Sequence, residues 1–393
     1  MNEQRKGPTI LVNSYSERWL RKGFPWVYPK EIVRGKAKPG KWVSVRSQGG
    51  ALLGQGLFDR GWIAVRLMPE DLVETLEQAA ALRRTVIDDS TTAYRLVHGE
   101  NDGVPGVRVD IWGEYAVLAL DSPSLAPLVP QLADWLIHSG RAKGVYLCYR
   151  PDPRDKSINA DEVNPQPGLV GGIGTGEDIV VLERGVKVLV RPFEGPDVGL
   201  YADMRDVRSW MEPHWRGRRV LNTFAYTGVF SLVSAIHGAA QVSTVDLSGA
   251  VLDRARANFA VNGLNEEHFE FIAADTFKAL DRWRRKGRKC DLVILDPPSF
   301  SRGSAGIFNV RKDYSRLVAG ACRVLDHDGW LLCASNLGQV SPREFRKQVG
   351  EGFARSKVRG QEIHWATAAP DFPAAAWFPE GNYLKVGLWR ILH

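Results

Sequence analysis

The sequence predicts a doubly wound α/β domain, preceded by a small β-rich module and a mixed α+β region. From about residue 188 onward, short apolar runs alternate with segments of helical period. That is the pattern of a parallel sheet with helices on both faces. Residues 8–70 hold short alternating runs broken by Gly and Pro, as strands and turns require. Between the two, strand-like and helix-like stretches mix without strict alternation. A chain of 393 residues favours two or three domains, expected here at 1–73, 74–187 and 188–393.

In the first region "KWVSVRS", "ALLGQGLF" and "WIAVRLM" read as strands. The stretch "EDLVETLEQAAALRRTVI" reads as a helix with Leu72, Leu76, Ala79 and Leu82 on its apolar face. The middle region follows with strands in "GVRVDIWG", "YAVLALD" and "GVYLCYR" and a helix in "SLAPLVPQLADWLIHSG". Residues 150–178, rich in Pro, Gly, Asp and Asn, read as one long exposed loop. The last region runs strand "RRVLNTF", helix "GVFSLVSAIHG", strand "QVSTVDL", helix "SGAVLDRARANFAVNG", strand "HFEFIAAD" and helix "TFKALDRWRRKG". Strand "CDLVILD" comes next, then a loop, the helix "KDYSRLVAGACRVL", strand "GWLLCAS", helix "SPREFRKQVGEGFARS" and two closing strands.

Composition narrows the function classes. The first twenty residues are polar and basic and lack the apolar core of a signal peptide. No run of about 18 apolar residues is present, so no membrane partner is expected. The four cysteines form no C-x-x-C pair or zinc pattern. A cytoplasmic protein without a metal is the expectation. Net charge is +7, but residues 1–50 alone carry eleven Lys or Arg against three Glu, a balance of +8. A basic first module on a near-neutral body is the footprint of a nucleic-acid partner. Arg18, Arg21 and Lys22 are its candidate RNA contacts.

The chemistry gathers at the strand ends of the last region, where open parallel sheets hold their ligands. The first strand runs into "LNTFAYTGVFSL", a Gly-containing turn before a helix. No G-x-G-x-x-G is present, so a dinucleotide is not the natural guest. The second strand ends at Asp246, placed to bind ribose hydroxyls. The third ends at Asp275, placed to accept from an adenine amine, and the fourth at Asp296-Pro297-Pro298. The guest implied has an adenosine but no pyrophosphate, and S-adenosylmethionine fits best. The two prolines stop the strand and stiffen a lip. Asp296 can then accept from a base N–H edge, and Phe300 can stack on a flipped base.

"NTFAYTG", "VDLS", "LDPPSFS" and "PEGNYLK" resemble the bacterial large-subunit (23S) rRNA base methyltransferases of the RlmI/RlmK kind. "GFPWVYPKEI…PGKWVSV…LGQGL" is similar to their PUA RNA-binding module. The resemblance implies a Rossmann-like class I methyltransferase domain, an N-terminal β-rich PUA-like domain and a central α+β domain. It also implies S-adenosylmethionine as cofactor and ribosomal RNA as partner. The family's cofactor residues fall on Phe224, Tyr226, Gly228, Asp246 and Asp275, with Asp296 and Pro297 at the target edge and Asn222 beside them. "GLYADMRD" resembles its Phe-x-Asp-x-Arg segment through Asp203 and Arg205, the latter a further candidate RNA contact. Where the family has Lys-Thr-Gly, this chain has Asp197-Val198-Gly199. Members that methylate carbon 5 of cytosine have Ser-Cys-Ser after the fifth strand, and here Asn336 takes the cysteine's place. Carbon 5 normally needs a thiolate on carbon 6. Direct transfer to a nitrogen such as guanine N7 is therefore expected, with Asp296, Asn336 and Phe300 handling the base. The alternatives are a cytosine carbon-5 enzyme, an exocyclic-amine enzyme, a protein or small-molecule methyltransferase, or a non-catalytic RNA-binding assembly factor. A homodimer stays open as the assembly state.

Overall fold

The computed structural model describes residues 7–150, 164–195, 198–303 and 306–392, and the side chains of 301–307 are not described. Asp197, which stands in the altered Lys-Thr-Gly triplet, lies outside the described residues. The chain forms two compact units: 1–182 with 190–198 and 370–381, and 183–189 with 199–369 and 382–393. The first two expected domains share one unit, which also takes in 370–381 from far along the chain.

In the first unit, β1 (Thr9–Val12) leads into α1 (Ser14–Leu20), whose N-terminus is capped by Asn13. Then come β2 (Trp26–Val27), β3 (Ile32–Arg34), β4 (Trp42–Ser47), β5 (Leu52–Phe58) and β6 (Val65–Met68). They make one sheet in the order β2-β6-β5-β4-β1-β3. Its core is Ile10, Val12, Val27, Val43, Val45, Phe58 and Val65, and β4 alternates buried and half-buried residues as a one-sided strand must.

Helix α2 (Leu72–Val86) starts at an Asp71 cap. Leu72, Leu76 and Ala79 are buried as the period predicts, but Leu82 is exposed and Arg83 is buried instead. Arg83 donates to both oxygens of Asp102 at 2.7 and 2.6 Å, so its charge goes inside already paired. A second sheet, in the order β11-β10-β9-β8-β7, consists of β7 (Ala93–His98), β8 (Val107–Trp112), β9 (Tyr115–Leu120), β10 (Gly144–Tyr149) and β11 (Gly168–Gly172). Helix α3 (Val129–His138) lies between β9 and β10 in the chain. Strand β11 corrects the reading of 150–178 as loop throughout. Its GLVGG sequence has weak strand propensity, and pairing with β10 holds it. β12 (Ile179–Glu183) and β13 (Val186–Val190) form a hairpin where the chain leaves this unit.

The second unit opens with α4 (Arg205–Met211), then β14 (Arg219–Thr223), α5 (Val229–Ile236), β15 (Gln241–Asp246), α6 (Gly249–Val261), β16 (Glu270–Ala273), α7 (Thr276–Arg285) and β17 (Cys290–Leu295). A short hairpin follows, β18 (Phe300–Gly303) with β19 (Gly306–Asn309), in place of the expected plain loop. The chain ends with α8 (Val310–Cys322), β20 (Leu325–Ser335), α9 (Pro342–Ser356), β21 (Arg359–Ala366) and β22 (Lys385–Leu392). The seven-stranded sheet runs β16-β15-β14-β17-β20-β22-β21. β14 pairs in parallel with both β15 and β17, so the strand order reverses between β14 and β17 and opens a crevice at their carboxyl ends. Two polar ties fix that crevice from below. The Thr223 hydroxyl donates to the Ile294 carbonyl at 2.7 Å. The Tyr314 hydroxyl, wholly buried in α8, donates to the Ala334 carbonyl at 2.9 Å and lies 3.2 Å from that of Leu295. The strands that end in Asp296 and Asn336 are thus joined at their tips.

Candidate active site

A cleft of about 750 Å³ opens at the carboxyl ends of these strands. The size suits a nucleoside-sized ligand with room for a second group. It is lined by Asn222, Phe224, Tyr226, Asp246, Asp275, Asp296, Pro297, Phe300 and Asn336, which the sequence singles out. Tyr201, Asp203, Met204, Arg208, Thr276, Ser299 and Leu384 line it as well, and the sequence alone assigns them no site role.

The turn after β14 is wound tightly. Phe224 and Tyr226 have φ of 54° and 53°, and Gly228 has φ of 74°. Side chains rarely accept this left-handed conformation. At Gly228 an added Cβ would also lie 2.8 Å from the Ala255 Cβ, so the residue must be glycine for space as well as for φ. The turn is held from three sides. The Tyr226 amide donates to Asp246 Oδ2 at 2.9 Å, Asn258 Nδ2 donates to the Thr227 carbonyl at 2.9 Å, and the Thr227 hydroxyl donates to the Gly199 carbonyl at 2.5 Å. Asn222 lies on the cleft floor, 2% exposed, with its amide committed to the Ser231 hydroxyl.

Asp246 is fixed by backbone amides. Its Oδ2 takes the Tyr226 amide and its Oδ1 takes the Ser248 amide at 3.1 Å. Each carboxylate oxygen keeps a second lone pair, so a pair of vicinal hydroxyls has two aimed acceptors. Asp275 caps α7 through the Lys278 amide at 3.2 Å while lining the same cleft, so capping and ligand-facing roles coexist in one residue.

Asp296 is half-buried and lines the cleft. Burial pushes its carboxyl up to about 7, the nearby Asp203 adds to that, and Arg208 opposes it. Pro297 is buried, Pro298 exposed, and Phe300 stands 60% exposed at the rim. The lip is tied across the cleft, since the Ser299 hydroxyl donates to Asn336 Oδ1 at 2.9 Å. The Asn336 N–H groups remain as donors. Lys385, from "PEGNYLK", is buried and donates to the Leu337 and Tyr383 carbonyls at 2.8 and 2.6 Å. Burial pushes its ammonium down to about 8.

The four cysteines are all buried and all outside the lining. Cys333, in the middle of the sheet between β17 and β22, has its thiol raised well above the ordinary range by burial. Cys290 is pushed up to about 12 and Cys322 to about 11 by the same cause. None of these is a thiolate at neutral pH.

In the first unit Arg18 lies over the rings of Tyr15 and Trp19, and Lys22 over Trp19. Arg21 pairs with Glu17 at 2.8 Å. Tyr15 and Trp19 are 55% and 39% exposed, so α1 shows aromatic and cationic groups together. Arg205 requires a correction. It is 2% exposed at the start of α4, and a guanidinium packed inside the unit is not a surface contact for RNA.

The fit to S-adenosylmethionine rests on the donor set. Four aspartates line the cleft, and Arg208, its only described Lys or Arg, is bidentate on Glu183 at 2.6 and 2.7 Å. A cationic guest meets an excess of carboxylate there. A Rossmann-like fold with this tight turn after its first strand and this charge is what a methyltransferase requires.

Comparisons agree. The family model described as S-adenosylmethionine-dependent methyltransferase matches residues 169–376, and that of a PUA-like domain matches residues 10–69. The chain is 31% identical over 390 residues to the ribosomal RNA large subunit methyltransferase I of Shewanella frigidimarina, covering 96% of this chain and 97% of that one. It is 31% identical to the protein of that name from Aliivibrio fischeri, over 98% and 99% of the two chains. Among solved structures, the methyltransferase SMU.776 complexed with SAH superposes with a TM-score of 0.86 at 23% identity, covering 97% of this chain and 99% of that one. The chain belongs to the S-adenosylmethionine-dependent methyltransferase family, in the group of the ribosomal RNA large subunit methyltransferase I proteins. S-adenosylmethionine is its cofactor.

The assignment of Asp246 to the ribose is tested by Asp246→Ala. The expected outcome is a loss of about 2–3 kcal/mol in S-adenosylmethionine binding, the scale of hydrogen bonds to a charged group, with the fold retained. Calorimetry on a folded variant showing unchanged affinity would remove the assignment.

Proposed function

We propose that this protein methylates a base of large-subunit (23S) ribosomal RNA by direct transfer to a nitrogen, guanine N7 first among the candidates. The supporting observation is that the cleft holds Asn336 and no cysteine among its described lining residues. The RNA substrate draws support from the printed names of the relatives, from the PUA-like match and from the +8 balance of the first fifty residues. A cytoplasmic site of action goes with such a substrate.

When bound, S-adenosylmethionine supplies an electrophilic methyl group. Asp246, Asp275 and the turn at Phe224, Tyr226 and Gly228 would hold it. N7 of guanine has an in-plane lone pair and needs no general base, so the protein's task is alignment. Phe300 and the Pro297-Pro298 lip would stack and confine the flipped base. Asp296, when ionised, accepts from the base's N–H edge, and Asn336 donates to an acceptor beside it. Alkylation at N7 leaves a positive charge on the purine. A cleft with four aspartates and one committed arginine is suited to stabilise that charge.

The overall similarity to the methyltransferase I proteins supports cytosine carbon 5 as the second reading. RNA carrying 5-fluorocytidine separates the two. Thiolate-dependent enzymes remain attached to it after transfer, and this protein is expected to form no adduct on a denaturing gel. An adduct mapped to any of the four cysteines would return it to the carbon-5 class.

The RNA-binding role of α1 has its own test. Charge reversal of Arg18 and Lys22 together should lower the slope of log affinity against log salt by about 0.7 for each single-strand phosphate no longer neutralised, with cofactor affinity unchanged. An unaltered slope would place the RNA elsewhere.

A further inference from the structure

Residues 370–381 belong to the first unit, although the chain on either side of them lies in the second. Asn101 anchors the segment, since its Oδ1 accepts the Ala375 amide at 2.9 Å. Two rings of the segment then pack against the small β-rich module. Phe378, 5% exposed, stacks on Phe24 with centroids 6.0 Å apart and meets Trp26 edge-on at 4.8 Å. Trp377 donates its indole N–H to the Glu100 carbonyl at 3.2 Å, and Trp26 donates its own to Glu100 Oε1 at 2.8 Å. Trp377 lies beside Gly23, where an added Cβ would be 3.4 Å from the Trp377 Cβ. From this anchor the rings continue in two directions. Phe24 meets Trp19 at 6.5 Å, and Trp19 meets Tyr15 at 6.4 Å. Trp26 meets Tyr28 at 6.2 Å, and Tyr28 meets Trp62 at 5.8 Å.

The inner rings of this row are packed and the outer ones are not. Trp62 and Trp377 are 45% and 47% exposed, comparable to Tyr15 and Trp19 on α1. Cations accompany them. Arg18 and Lys22 lie over the α1 rings, and Lys30 is exposed two residues after Tyr28. A run of exposed rings marks an interaction surface, and the chemistry beside it selects the partner. An unpaired base presents a π face with a phosphate next to it, so a ring takes the base and a cation takes the phosphate. An apolar peptide would leave the cations unused. A duplex keeps its base faces in its own stack, so the strand must be single. We propose that the first unit binds a single-stranded segment of RNA by stacking its bases on this aromatic row, with Trp377 and Trp62 among the stacking residues. The inference rests on the RNA-substrate reading above and names the form of RNA and the mode of contact.

Stacking and phosphate contact differ in their response to salt. A neutral ring displaces no counterion from the RNA, whereas a lysine or arginine on a phosphate does. Losing a ring therefore lowers affinity by the same factor at every salt concentration, and losing a cation changes the slope. Stacking is also tolerant of base identity, because every base has a π face.

The test uses the full-length protein and a labelled single-stranded RNA of mixed sequence, about twelve nucleotides long to match the site sizes of such surfaces. The same RNA annealed to its complement is the control. Affinity is read by fluorescence anisotropy across a range of salt concentrations, and circular dichroism identifies the folded variants. Trp62→Ala and Trp377→Ala should each weaken single-strand binding about fivefold or more, the lower end for one base on one ring, with the salt slope unchanged. Trp377→Phe, which keeps a ring but not the hydrogen bond to Glu100, should retain most of the affinity. Unchanged affinity in both folded alanine variants overturns the stacking surface. An equal loss on the duplex overturns it too, since paired bases offer no faces. A loss in Trp377→Phe as large as in Trp377→Ala overturns the stacking role of Trp377 and leaves it a support of the module. Failure of the wild type to bind either RNA would instead tell against the underlying RNA reading.

Discussion

Asp296 stands at the carboxyl end of β17, followed by a proline that is buried and a proline that is not. The strand behind it is almost wholly buried, and the Tyr314 hydroxyl bridges its tip to that of β20. A carboxylate in that position loses most of its water. The ordinary remedy is a nearby cation, and Arg208, which pairs with Glu183 through two of its nitrogens, opposes the shift without cancelling it. Burial therefore pushes its carboxyl up to about 7, so its proton is held more tightly than on an ordinary aspartate, in a cleft lined by three further aspartates. Enzymes commonly place their perturbed groups where the reaction needs them.

The rest of the cleft is built around this edge. Strand order reverses between β14 and β17, so the left-handed turn at Phe224–Gly228 and the Asp296 lip face one crevice. The turn is costly in backbone terms, with non-glycine residues at positive φ. The Asp246, Asn258 and Gly199 contacts hold it in place. Contacts of this kind give that side of the cleft a fixed shape. The opposite side is braced by side chains: Ser299 to Asn336, Lys385 to Leu337, and Tyr383 to Asp203. A turn fixed at positive φ thus faces a polar, cross-linked lip across one cleft.

Much of this is legible in the sequence because it is local. Asp246, Asp275 and Asp296 each end an apolar run, and the Gly228 turn follows the first strand, so period and punctuation place them. The Asp203–Tyr383 hydrogen bond spans 180 residues of chain, and no local pattern signals it. Arg83 and Arg205 show a second limit: a long charged side chain reads as surface, and only its partner or its packing reveals it as buried. The β18–β19 hairpin reads as loop because "SRGSAGIFN" has little strand propensity of its own. Period also misplaces Leu82, since α2 turns its Arg83 edge to Asp102.

The central claim is that transfer goes straight to a base nitrogen in a cleft without a thiolate. The most direct measurement is methyl transfer from isotopically labelled S-adenosylmethionine to large-subunit ribosomal RNA taken from cells lacking the gene, followed by mass spectrometry of the nucleosides. The account predicts label in 7-methylguanosine. Label confined to 5-methylcytidine would contradict it.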